Sequence, residues 1–387
     1  MANFSEQFDQ HGRWRHEVDA RLKDLADWLR EQDLLDDGAD ERVRQLSEQL
    51  RSDKVMVAFV AEFSRGKSEL INAVFFASYG RRIMPASAGR TTMCPTELGW
   101  DAELPPCLRL LPVHTRLQPQ SLLEWRMTPE KWERVDLDIN DPAQMASAME
   151  KVSEVLHVPQ EEARALGFWH DDTPQDNPPV REDGLVEVPR WRHALINMSH
   201  PLLKRGLVVL DTPGLNAIGA EPELTVSLIP QAQAMVFVLG ADTGVTKSDL
   251  AIWREHLAAL TGSSSARFVV LNKIDTLWDE LSTPAQIEHQ IHRQCAETAR
   301  ILELPADQVI AISAQKGLLA KVRGDKNLLA ESRLPAFENI LGHTVLGARQ
   351  QMLEDAVKSV TDDLQSQAAR TLEMRRRETD EQLLELR

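Results

Sequence analysis

Residues 55–73 read VMVAFVAEFSRGKSELINA. An apolar run, Val55 to Val60, stops at a short polar loop that closes on Gly66-Lys67-Ser68, and a helix-like segment follows. A strand, a loop ending in Gly-Lys-Ser and then a helix form a phosphate cradle. Backbone N–H groups at the helix start surround the oxygens, the lysine adds positive charge at the β/γ phosphates, and the serine hydroxyl is a ligand for Mg²⁺. The full pattern has glycine five positions before Gly66, where this chain has Ala61. A Cβ there crowds the turn, so nucleotide binding is expected to be weak and rapidly exchanging.

Three later segments extend the reading. LVVLDTPG places Asp211 at the end of an apolar strand, before Thr212, Pro213 and Gly214. An aspartate there can hold the Mg²⁺ shell, and the Gly214 N–H can contact a γ-phosphate and release it after hydrolysis. The plain alternative is an ordinary Asp-x-Pro-Gly turn. VVLNKID again follows a buried run, with Asn272, Lys273 and Asp275. A carboxylate at Asp275 can accept from the ring N–H and the exocyclic amine of guanine, a donor pair that adenine lacks. VIAISAQKG puts Ser313 and Ala314 after a strand, where a backbone N–H can reach the guanine oxygen. Ligands of parallel sheets bind at the carboxyl ends of strands, and four elements in this order predict GTP and GDP as ligands.

The rest of the chain agrees. Apolar runs at Val55–Val60, Leu207–Leu210, Met235–Leu239, Phe268–Leu271 and Val309–Ile312 alternate with helical segments, which predicts an α/β fold with a mainly parallel sheet. Residues 4–29 carry Phe4, Phe8, Trp14, Val18, Leu22, Leu25 and Leu29 at helical spacing, and a second helix runs from about Ala39 to Leu50. From Pro335 onward the pattern is one long helix with Leu353, Val357, Val360, Leu364 and Ala368 on a stripe. It is still helical at Arg387, with no cap or closing glycine, so the helix is expected to be cut short there. Two amphipathic stripes at the termini are expected to bury each other as a bundle. The expected organisation is residues 1–53 as bundle helices, 54–330 as the GTPase domain and 331–387 as the returning helix. A helical insertion at about 115–185 separates the two switches and holds the Pro- and Asp-rich HDDTPQDNPPVREDG.

With 387 residues, 42% hydrophobic and 27% charged, the chain has the composition of a soluble globular protein. A formal net charge of −16 weighs against a duplex nucleic-acid binder, and no nucleic acid is expected as partner. Cys94, Cys107 and Cys295 are far apart, as expected of free thiols in a reducing cytosol. No signal peptide or transmembrane run is read, so the expected location is cytoplasmic, with membrane contact only peripheral.

The segment MPASAGRTTMCPTELG lies where the first switch is expected. With EFSRGKSELINA, it resembles the dynamin superfamily, particularly bacterial dynamin-like proteins and more distantly mitofusins, over about residues 54 to 330. The resemblance implies that Lys67 binds β/γ phosphates, that Ser68 and Thr92 ligate Mg²⁺ alongside Asp211, and that Ser64 stabilises the transition state. Ser64, Lys67, Thr92 and Gly214 are then the catalytic set, within a nucleotide-binding loop of Glu62, Phe63, Ser64, Arg65, Gly66, Lys67, Ser68 and Glu69. Two departures stand out: Ala61 replaces glycine, and Phe63 replaces the polar catalytic residue of dynamin. Arg65 lies one position after the arginine finger of some relatives, and a solvent-facing or structural arginine is favoured over a catalytic one. Leu215 is apolar and cannot orient water, so a lone chain is expected to be slow and to be completed by self-association through the nucleotide face. The resemblance also implies membrane remodelling or tethering, the lipid-contacting part lying beyond Arg387. The rivals are a regulatory GTPase of the ribosome-assembly type and a scaffold that never touches lipid. The first calls for a basic RNA-binding domain, and the only basic run here is EMRRRE.

Overall fold

The computed structural model describes residues 4–51, 54–85, 94–171, 177–204, 206–213, 229, 232, 234–254, 266–279 and 281–386. The chain divides into two compact units, Val55–Leu341 and the pair of segments Met1–Lys54 and Gly342–Arg387.

In the larger unit the strands are β1 (Val55–Ala61), β2 (Thr96–Gly99), β3 (Cys107–Pro112), β4 (Glu133–Asp136), β5 (Val155–Val158), β6 (Val186–Pro189), β7 (Trp191–Asn197), β8 (Leu207–Asp211), β9 (Ala234–Gly240), β10 (Ala266–Asn272) and β11 (Val309–Ala311). Nine of them form one sheet in the order β11-β10-β9-β1-β8-β2-β7-β3-β4. The run from β11 to β8 is parallel throughout. These are the five strands that the sequence shows as continuous apolar runs. All of β8 and all of β9 is buried, and a strand covered on both faces has no reason to alternate. Packing on this sheet is dominated by Val60, Phe237, Leu239, Val269 and Leu271, all fully buried.

Pairing register fixes where the loops emerge. Phe59 lies opposite Asp211, Ala61 opposite Val238, Asn272 opposite Gly240 and Leu271 opposite Ala311. The loops after β1, β8, β10 and β11 therefore leave from one carboxyl edge.

The segment between the switches holds more strand than its sequence shows. The expected helices form at Leu122–Arg126, Pro142–Glu150 and Gln160–Ala165, but β2, β7, β3 and β4 also continue the sheet beyond β8, with β2 antiparallel to it. β5 and β6 pair as a separate ribbon over Val113, Val158, Leu166 and Phe168. β2, β4, β5 and β6 are four residues each, and the longer β7 carries Arg192 and His193 inside the protein, which interrupts an apolar pattern. Their burial is compensated. His193 Nε2 pairs with Glu97 Oε1 at 3.0 Å, and Arg126 donates to the same oxygen. Burial works against the Glu97 charge, yet His193 and Arg126 hold its carboxyl below the usual range.

The smaller unit is a bundle of the helices Phe4–Glu31 and Asp37–Arg51 with the helix Leu334–Glu385 from Gly342 onward. Leu22, Ala26 and Leu29 pack with Val43, Leu46, Leu50, Leu353 and Leu364 in one core. Polar groups lock its edges: Arg15 donates to the Leu50 carbonyl at 3.1 Å, and Arg375 to the carbonyls of Gln32 and Asp33 at 3.0 and 2.7 Å. Both termini thus contribute to the bundle, as their stripes require. Leu353→Ala should cost the bundle about 2–5 kcal/mol, read by chemical denaturation, because a buried leucine loses its transfer energy and leaves a cavity. An unchanged midpoint would exclude this packing.

Candidate functional site

After β1 the chain turns sharply and enters the helix Lys67–Ile71. Two residues make the turn in left-handed conformation, Ser64 at φ 63° and Gly66 at φ 87°. Gly66 is required on two counts. Its φ disfavours a side chain, and a Cβ there would lie 2.4 Å from Asn272 Nδ2. Ala61, where the pattern has glycine, is the fully buried last residue of β1. Beyond Ile71 the helix widens into a π-turn, Asn72–Phe76. The Asn72 carboxamide accepts from the N–H groups of Ile83 and Met84 at 2.9 and 2.8 Å and donates to the Met84 carbonyl at 2.9 Å. It thereby fixes the chain just ahead of the first-switch segment.

Lys67 and Asp211 meet. Lys67 Nζ donates to Asp211 Oδ1 and to the Thr212 carbonyl, and both side chains are almost wholly buried. Burial pushes the Asp211 carboxyl up, and Lys67 opposes that rise. Asp211 Oδ2 is buried without a hydrogen-bond partner among the described residues. Ser68 is buried on the first turn of the same helix as Lys67. A carboxylate oxygen with spare acceptor capacity and a hydroxyl are hard donors, and they fit Mg²⁺. Thr92 and Gly214, expected to complete this end, lie outside the described residues, as does Leu215.

At the other end, Asp275 accepts from the Ser313 hydroxyl at 2.6 Å and remains half-exposed. Lys273, left-handed at φ 65°, pairs with Asp242 at 2.8 Å. Asn272, read from sequence as a base contact, points inward. Its Nδ2 donates to the Arg65 carbonyl at 3.0 Å, and its Oδ1 accepts from the Ala314 N–H at 2.9 Å. The Ser313 N–H donates to the Ser332 carbonyl at 2.9 Å. The amides of Ser313 and Ala314 are therefore both engaged within the protein, and neither is free to meet a guanine oxygen in this arrangement.

Several phosphate-loop side chains also turn away from the cradle. Arg65 is buried and donates to Asp249 Oδ2 and Glu62 Oε2, each at 2.9 Å, and to Thr243 Oγ1 at 2.7 Å. Glu62 also accepts from the Ser248 hydroxyl at 2.8 Å. Glu69 takes a bidentate contact from Arg82 at 2.6 and 2.7 Å. Phe63 and Ser64 face solvent. Of the residues expected to bind nucleotide, Lys67, Ser68 and Asp211 gather at the phosphate end, and Asp275 with Ser313 at the base end. Arg65, Glu62 and Glu69 are tied up by neighbours. The reading missed Asp249, Thr243 and Asn72. Asp249 had a signal, since Thr246-x-x-Asp249 is a helix capping box and both of its reciprocal bonds are present.

The sequence model of the Dynamin family matches residues 57–274, more than half of the chain. A protein of Arabidopsis thaliana, "Probable transmembrane GTPase FZO-like, chloroplastic", is 30% identical over 135 residues, 34% of this chain and 14% of that one. Isoniazid-induced protein IniA of Mycobacterium tuberculosis is 30% identical over 173 residues, 42% of this chain and 24% of its own. Among solved structures, an oligomerised bacterial dynamin pair, described as providing a mechanism for long-range sensing and tethering of membranes, has a TM-score of 0.53 at 14% identity. That match covers 99% of this chain and 58% of that one. LeoA, a bacterial dynamin GTPase from ETEC, has a TM-score of 0.51 at 15% identity, covering 95% and 49%. The matched stretches span less than two thirds of each of these proteins, and the structural likeness is one of fold.

Gly66→Ala should add about 1–2 kcal/mol of left-handed strain to its clash with Asn272. A lower melting temperature and lost nucleotide binding are the expected results; wild-type behaviour in both would refute the loop geometry. A second expectation concerns His200, whose ring meets Phe75 of the π-turn edge-on at 5.3 Å. Burial, with Lys321 adding repulsion, pushes the imidazole down from 6.5 to about 4. In that interval the unfolded chain binds a proton that the folded one refuses, so this group's contribution falls as pH drops from about 6.5 to about 4. His200→Gln should flatten the acid limb of a stability–pH curve over that window, and an unaltered limb would show that His200 is not its source.

Proposed function

This chain belongs to the dynamin family, and from that premise we propose that it binds GTP and GDP at the carboxyl edge of the sheet and hydrolyses GTP to GDP and phosphate. The observation that carries the reading is the pairing of Lys67 with Asp211 beneath the phosphate loop, with Asp275 and Ser313 on the same edge. Phosphoryl transfer asks little covalent chemistry of a protein. Water attacks the γ-phosphorus, the bond to the β–γ bridging oxygen breaks, and the residues position groups and offset charge. Lys67 is the cation available to the β/γ oxygens, and its move toward them leaves Asp211 to accept elsewhere. Ser68 and Asp211 would hold Mg²⁺, with Thr92 as a further candidate. When bound, the ion neutralises charge on the phosphate oxygens. Asp275, its carboxylate held by Ser313, is the acceptor for the paired donors of guanine.

Self-association through the nucleotide face forms part of the proposal. Phe63 is 43% exposed beside exposed Ser64 at the tip of the phosphate loop, where a pairing surface would need apolar area. A peripheral role in membrane tethering or remodelling follows from the family and from the membrane-tethering description of the bacterial dynamin pair. None of the helices among the described residues is long and apolar enough to cross a membrane.

The test is calorimetry with GTP, GDP and ATP, followed by turnover over a wide range of protein concentration. Guanine nucleotides should bind and ATP should not; Asp275→Asn should shift preference toward xanthine nucleotides; and Lys67→Ala should lower turnover by roughly 10²-fold or more. Specific activity should rise with concentration, and a GTP transition-state mimic should produce a dimer by light scattering where GDP does not. Equal binding of ATP would overturn the base assignment, and a flat specific activity with a monomer throughout would overturn the pairing.

A further inference from the structure

We infer that Asp249 is a positioning residue of the phosphate loop, holding its backbone through Arg65 in the shape that receives the β-phosphate of a guanine nucleotide. The inference rests on the proposed nucleotide site and adds a residue that lies outside its motifs.

The geometry is that of a clamp. Arg65 presents Nη2 to Asp249 Oδ2 at 2.9 Å and Nε to Asp249 Oδ1 at 3.4 Å, so the two planar groups face each other as a fork. Asp249 is fully buried and cannot follow a moving partner. Its Oδ2 also accepts from the Thr246 N–H at 2.9 Å and the Thr246 hydroxyl at 2.7 Å, within the cap of the helix Lys247–Ile252. Arg65 is held at its other end as well, since its carbonyl accepts from Asn272 at 3.0 Å.

The loop has need of such a clamp. Arg65 sits between Ser64 and Gly66, both left-handed, and only one of them is glycine. A conformation that a side chain disfavours persists when its surroundings over-determine it. This loop also lacks the glycine that its pattern has at position 61. Among the described residues the guanidinium bonds Asp249, Glu62, Thr243 and Thr246, all groups beside the loop, which assigns its work to the loop. The amides that follow Arg65 are those the β-phosphate would meet, and that phosphate is common to GDP and GTP.

The experiment uses Asp249→Asn, which keeps the shape of the side chain and removes its charge, together with the double variant Arg65→Gln/Asp249→Asn. Each is measured for unfolding, for GDP and IDP affinity, and for the KM and kcat of GTP. IDP lacks the exocyclic amine, so the GDP-to-IDP ratio reports the base end alone. GDP and IDP should both weaken by one common factor, roughly tenfold or more, the scale of one lost charge-assisted contact. Their ratio should stay constant, KM should rise by more than kcat falls, and the double variant should be no worse than the single one. Should Asp249→Asn fail to fold because Arg65 keeps Glu62 as its one charged partner, the double variant carries the measurement, since it buries no charge at either position. Unchanged GDP affinity in either folded variant would overturn the clamp, as would a shifted GDP-to-IDP ratio, which would mean a general loosening. A rise in kcat with Asp249→Asn would also overturn it, because Arg65 would then be acting on substrate once released. Failure of the wild-type chain to bind either diphosphate would be a different result, refuting the site itself.

Discussion

The nucleotide end of this protein hangs on one carboxamide. Asn272, at the tip of β10 and almost wholly buried, donates to the Arg65 carbonyl and accepts from the Ala314 N–H. It joins the loop after β1 to the loop after β11, which no backbone pairing connects directly. A carboxamide can do this from a single position because it carries a donor and an acceptor on one rigid plane. The constraint propagates. Gly66 must lack a Cβ because Asn272 Nδ2 occupies that space. With its carbonyl held by Asn272, Arg65 directs its buried side chain away from the cradle, and Asp249 lies where that side chain arrives.

Charge makes a second constraint at the same edge. Lys67 and Asp211 form a pair with almost no solvent, and removing two charges from water costs several kcal/mol for each ion unless they stay partnered. The pair is also imperfectly satisfied, because Asp211 Oδ2 has no partner among the described residues. Burial raises the Asp211 carboxyl and the Lys67 ammonium opposes that rise, so each charge of the pair depends on the other for its state.

How legible this was in the sequence depended on whether a residue's role was written in periodicity or in partnership. β1, β8, β9, β10 and β11 were plain, since strands buried on both faces must be apolar along their length. The terminal helices were plain for the same reason, their stripes recurring every three or four residues. β3, β4 and β7 were not. β3 pairs antiparallel with both β4 and β7 at the far side of the sheet, β4 is only four residues long, and β7 buries Arg192 and His193. Nothing in the local pattern says that Glu97 and Arg126 will be there to satisfy His193. At the carboxyl edge, the positions of Lys67, Ser68, Asp211 and Asp275 next to strand ends could be read from motifs, because each motif follows an apolar run. Asn272 was found from its motif, but its bonds to the Arg65 carbonyl and the Ala314 N–H were not, since a motif lists residues without saying what each one touches within the protein. Asp249 is far from Arg65 in sequence, and only the turn after β9 brings them together.

That same dependence on partnership runs from the phosphate loop toward the long helix, within the larger unit. The helix bearing Lys67 and Ser68 ends in a π-turn, an irregularity that occurs often at functional sites. The carbonyl of Ala73, inside that turn, accepts from Lys321 Nζ at 2.8 Å, and the same ammonium pairs with Glu338 at 2.5 Å. Lys321 belongs to the helix Ala314–Arg323, whose first amide is held by Asn272, and Glu338 lies in the first turns of the helix Leu334–Glu385. Phe337 and Leu341, fully or almost fully buried beside it, fix the root of that helix in the larger unit. One ammonium with three donors thus bridges the helix that follows the phosphate loop and the root of the helix that goes on to Glu385. A displacement of the π-turn that moves the Ala73 carbonyl must either carry Lys321 with it or give up a partly buried hydrogen bond. The carboxylate of Glu338 then either follows or loses its partner. Both contacts are directional and both are made by the same nitrogen, so within the larger unit the π-turn and the first turns of this helix share one partner.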